Sequence, residues 1–130
     1  PDPSDLAEWA IRFPDIKATR IIENCIYLLA VISVFPLFIA LNRTLEKSNL
    51  ASALFGTNLC IFGLIAMMVS SIPHVAHSSI ADIYHASNTT PADQAVIAIM
   101  WQATWGIFNA MLYIGFLVLP IGFIILGFGI

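Results

Sequence analysis

The sequence predicts an all-α integral membrane bundle: three spanning helices, an N-terminal amphipathic helix, and long second and third helices forming a protruding hairpin. Three observations predict it. The 130 residues are 59% hydrophobic and 10% charged, whereas a soluble domain is nearer half apolar and a quarter charged. Three apolar runs each reach the ~20 residues that a bilayer requires. Short polar segments, 42–49 and 87–90, separate those runs. The whole chain, 1–130, is read as a single membrane-embedded domain, since no Pro/Gly/Ser-rich linker divides it.

Residues 1–14 are expected to form the interfacial helix. Asp2 or Ser4 offers an N-cap, Pro3 suits the first turn, and Leu6, Trp9, Ala10 and Phe13 recur at helical spacing. The helix either lies at headgroup level or packs on the rest of the protein, and Pro14 is expected to end it. Residues 15–46 form span 1, with Asp15 as its cap and a lipid-depth core over 21–41. Pro36 inside it removes the bond to the Ile32 carbonyl and predicts a bend.

Ser48 or Asn49 caps span 2 and its extension, 48–87. Ser52, Gly56 and Cys60 make a ladder of small residues that admits close helix approach. Pro73 is expected to kink this helix without ending it. Thr90, Pro91 and Asp93 read as a capping-box start for span 3 and its extension, 91–130. Gly106 and Ala110 suggest another close-packing face, and Gly115, Pro120 and Gly122 suggest bends. Spans 2 and 3 are each too long for ~30 Å of hydrocarbon. Paired as a hairpin, 91–106 lie beside 72–87 and rise about 20 Å beyond the lipid as a stalk. Trp101 and Trp105 then fall near the boundary, where Trp is enriched.

Cys25 and Cys60 lie at different expected depths, roughly 10 Å apart along the bilayer normal, so free thiols are predicted. The five Lys+Arg and net charge of −3 leave no basic patch for nucleic acid. The basic residues sit on both sides of the membrane, so charge bias is small. The 42–49 turn is expected on the cytoplasmic side and the 74–95 tip outside. Asn42-Arg43-Thr44 and Asn88-Thr89-Thr90 match the glycosylation pattern. The start at Pro1 without a Met and the end at Ile130 inside an apolar run lead us to expect a piece of a longer chain or a processed one.

No catalytic residue is predicted. Serines 70, 71, 78 and 79 lack a nucleophile elbow. His74, His77 and His85 share a helical stripe. No cofactor is predicted beyond a transition metal that His74 and His77 could share, with His85 more remote, about 16 Å from His74 along the axis. The plainer expectation is that these histidines solvate a projecting surface. Arg20 and Glu23 are candidates for an ion pair at i, i+3, and His85 for one with Asp82 or Asp93. Asn24, Asn58, Gln102 and Asn109 are candidates for hydrogen bonds between helices.

Several stretches carry a resemblance. They are the lead-in from Asp5 to Arg20, Leu37-Phe38-Ile39-Ala40-Leu41-Asn42-Arg43, the small-residue second helix, and Leu119-Pro120-Ile121-Gly122-Phe123. In these the chain resembles a prokaryotic multi-span membrane family known only as a domain of unknown function. That resemblance implies further helices before and after this segment and supplies no catalytic residues. The expected function is a structural or accessory subunit that packs with other membrane helices, in a homo- or hetero-oligomer within the bilayer. The alternative is a piece of a transporter or membrane enzyme using Glu23, Asn58 or the His-bearing tip for a metal or proton.

Overall fold

The computed structural model describes residues 6–128. The expected caps Asp2 and Ser4, and the last two residues of span 3, lie outside that range. The described chain is three α-helices: α1 (Leu6–Leu45), α2 (Leu50–Tyr84) and α3 (Pro91–Gly127). Each is long and apolar enough to cross a membrane. At 1.5 Å per residue they run about 50–60 Å, well beyond the ~30 Å of hydrocarbon.

The separate interfacial helix is the first correction. Pro14 does not end a helix, and Asp15 does not start one. Both lie inside the continuous α1. A proline within a helix removes the N–H that would bond the carbonyl four residues back, here that of Ala10. Ala10 is fully buried, so its freed carbonyl cannot turn to water. His85 resolves this from the far end of α2: its Nε2 lies 2.9 Å from the Ala10 oxygen. A carbonyl only accepts, so Nε2 carries the proton in this bond. The helix continues through Pro14 because a distant side chain replaces the missing backbone donor.

The connections follow local chemistry. Asn49 caps α2, its side chain accepting from the Ser52 N–H at 3.2 Å. Thr90 and Asp93 cap each other reciprocally at the start of α3, with Pro91 in the first turn. Pro73 stands inside α2 without ending it, and Pro36 and Pro120 likewise stand inside α1 and α3.

The α2–α3 hairpin is the main packing unit, and α1 lies chiefly against α2. Small residues allow its close approach. A Cβ added at Gly122 would sit 2.5 Å from Cys60 Sγ and 2.9 Å from the Gly56 oxygen. One added at Gly56 would sit 2.6 Å from Leu126 Cγ. Gly115 likewise abuts Met67 and the Gly63 oxygen. Gly115 and Gly122 therefore serve close contact with α2. Gly106 does not: it is exposed, and a Cβ there would meet nothing within 4 Å. Cys25 is exposed, Cys60 is buried, and both are free.

The core divides into two tiers. The lower includes Val31, Phe38, Leu45, Ala53, Cys60, Leu64 and Leu126. Phe38 and Phe123 close it, 5.1 Å between ring centroids. The upper comprises Ala10, Phe13, Ile80, Ala81, Ile97 and Trp101. The expected two-helix stalk is thus a three-helix tier, since the first part of α1 packs along it. Lys17 binds both carboxylate oxygens of Asp82 at 2.8 Å on its outer edge. Around the lower tier α1 has no charged side chain over 24–42, about 28 Å of helix and close to a hydrocarbon thickness. Large apolar side chains there face outward, among them Leu29, Phe55, Phe62 and Leu117.

Candidate functional site

The seam between the two tiers is where polar side chains meet aromatic ones. Each helix contributes a stripe at helical spacing. Trp9, Phe13 and Arg20 come from α1, His74 and His77 from α2, and Trp101 and Trp105 from α3. Together they line a narrow slot of about 60 Å³.

The slot is built by ring packing. His77 is 1% exposed and stacks on Trp101, with 4.4 Å between centroids and 26° between planes. Trp105 stands 5.6 Å from the same imidazole. Phe13 presents its edge to Trp101 at 5.2 Å, an arrangement that suits opposite ends of the aromatic quadrupole. The Arg20 guanidinium lies over Trp9, 5.5 Å from its centroid, a cation–π contact. It also bonds Glu23 at 2.8 Å.

His77 carries the main electrostatic anomaly. Its Nε2 is buried and has no hydrogen-bond partner among the described residues. Leaving such a group unsatisfied costs roughly 1–3 kcal/mol. Asn24 shows the same feature: its Oδ1 is buried and unpartnered. It lines a second groove, with Tyr27, Phe108, Leu112 and Phe116. Arg20, His74 and Trp105 are common to slot and groove, so the two abut.

These positions alter several expectations. His77 does not solvate a projecting surface; it is the most enclosed polar residue of the upper tier. His74 lies beside it, 6.3 Å between ring centroids, and packs on Phe108. His85 pairs with neither Asp82 nor Asp93. It bonds the Ala10 oxygen, Asp82 bonds Lys17, and Asp93 bonds Thr90. Among the described residues no group of three His, Cys, Asp or Glu is placed to hold a metal. The pair of imidazoles therefore lacks the further ligands that a transition metal requires.

Ser70 and Ser71 donate to the Met67 and Met68 carbonyls at 2.6 Å, which leaves neither hydroxyl aimed at a histidine. Gln102 and Asn58 are exposed and Asn109 is half-buried. Tyr27 supplies an interhelical bond that sequence reasoning missed, donating to the Met67 carbonyl at 2.9 Å. Thr57 and Asn42 also hold buried, unpartnered oxygens; we have no physical account of them.

The arrangement offers two unsatisfied polar atoms, flat aromatic walls and a charge-neutral Arg–Glu pair. It contains no activated nucleophile. No family model, curated protein or solved structure matches this chain.

Proposed function

We propose that this chain is an integral membrane subunit that associates with another spanning helix across the face bearing Asn58. The exposure of Asn58 carries the reading. It stands on the outer surface of α2 among Leu54, Phe55 and Phe62, which are 45%, 70% and 57% exposed. No side chain or carbonyl of the described residues bonds its amide. A lone amide facing hydrocarbon is costly, and a hydrogen bond from a neighbouring helix removes that cost and contributes about 1–2 kcal/mol in peptide systems. In this reading the uncharged 24–42 belt lies in lipid, and the upper tier rises beyond it.

Native mass spectrometry from lipid nanodiscs tests the reading. The wild-type chain should carry a second membrane polypeptide, itself or another, and Asn58→Leu should release it. A monomeric wild type, or an assembly indifferent to Asn58→Leu, would contradict it. The second reading, a transporter or enzyme segment, is favoured by one observation only: the cavity beside His74 and His77.

A further inference from the structure

We propose that the seam between the tiers is a binding site for a neutral amphipathic molecule with a flat, dihydroxylated ring and an apolar tail: a quinol. The inference stands apart from the association reading and needs no partner chain.

Four features select this chemistry. The first is shape. The slot is lined mostly by rings, those of Trp9, Phe13, His74, His77, Trp101 and Trp105, which suit contact with a planar guest. The second is hydrogen bonding. His77 Nε2 and Asn24 Oδ1 are both buried without partners and belong to abutting cavities. The unprotonated nitrogen of a neutral imidazole and an amide oxygen each accept from a ring hydroxyl, and a quinol carries two. A guest carrying such oxygens removes two desolvation costs at once.

The third is charge. Each cation near the seam already has an acidic partner: Arg12 with Glu8, Lys17 with Asp82, Arg20 with Glu23. An anionic head finds no uncompensated cation, and a cationic head meets Arg20 in the slot wall. The fourth is access. The groove from Asn24 past Tyr27 to Leu112 and Phe116 is apolar along its lower part. It follows the α1–α3 side, where the helices touch least, and leads toward the uncharged belt. A tail can enter there from lipid while the ring reaches the slot. A few convergent polar groups in an otherwise apolar pocket is the usual make-up of a small-molecule site.

The test is a titration of the detergent-solubilised protein with a decyl-substituted benzoquinol kept reduced by exclusion of air, read by tryptophan fluorescence and by the His77 imidazole nitrogen resonance. The proposal expects saturable quenching at one site and a shift of the His77 signal at the same quinol concentrations. His77→Phe keeps a ring against Trp101 but removes the nitrogen. It should weaken binding about tenfold, the equivalent of about 1.4 kcal/mol. Asn24→Leu, on a different helix, should weaken it independently, which covers the case in which His77→Phe does not fold. Decanol has the tail without the ring and should compete poorly. Quenching that never saturates, decanol displacing the quinol at equal concentration, or His77→Phe and Asn24→Leu both titrating like wild type would each overturn the proposal. So would competition by inorganic phosphate, which would identify an anion site.

Discussion

Removing the His85 side chain should expose the cost of Pro14. In the folded chain Pro14 withdraws the donor for the Ala10 carbonyl, and His85 Nε2 supplies another at 2.9 Å. His85→Ala leaves a carbonyl on a fully buried residue without a partner. The expected loss is roughly 1–3 kcal/mol. Pro14→Ala restores the backbone N–H, so the Ala10 carbonyl regains its helical partner, and relief of the proline should stabilise α1 by up to ~3 kcal/mol. In that background His85→Ala should cost much less. The two changes share one acceptor, so their effects should deviate from additivity by about 1–2 kcal/mol, within the range for residues sharing a partner. The assay is a double-mutant cycle, with unfolding in mixed micelles followed by far-ultraviolet circular dichroism. If His85→Ala costs the same with Pro14 and with Ala at that position, to within about 0.5 kcal/mol, the reasoning is refuted.

Two further outcomes follow from geometry. Gly122→Ala places a methyl 2.8 Å from the Cys60 backbone nitrogen and 2.9 Å from the Gly56 oxygen, and should cost about 1–3 kcal/mol of stability. Gly106→Ala meets open space and should instead gain roughly 0.5–1 kcal/mol; the same unfolding assay reads both, and equal effects would contradict the close α2–α3 contact. Translation into microsomes reports topology through the two glycosylation patterns. With the tip outside, Asn88 should be modified and Asn88→Gln should abolish the mass shift, whereas modification at Asn42 would reverse the expected orientation.

The long helices were legible because their signals are local. Apolar runs set the three spans, and Thr90-Pro91-Ala92-Asp93 writes a capping box into four consecutive residues. What escaped depends on partners far along the chain. Pro14 reads as a helix end because its missing donor is local, while the compensating donor, His85, lies 75 residues away. Asp82 reads as a partner for His85 on its own helix, yet Lys17 reaches it from 65 residues earlier. The stripe of His74 and His77 was visible in the sequence. Its burial was not, because Trp9, Phe13, Trp101 and Trp105 come from two other helices whose rotation about their axes periodicity does not fix. Trp101 and Trp105 look like interfacial anchors for the same reason. The close contacts of Gly115 and Gly122 show only once the α2 residues facing them are known.

The central claim is that α1 runs unbroken through Pro14 and packs its first turns on the upper part of the hairpin. A nuclear Overhauser measurement between the Phe13 ring and the Trp101 indole, in nanodiscs, tests it most directly. With 5.2 Å between ring centroids, edge to face, strong cross-peaks are expected, together with helical amide–amide contacts on both sides of Pro14. Absent ring cross-peaks, with residues before Pro14 reporting a separate segment in the lipid headgroups, would contradict the account.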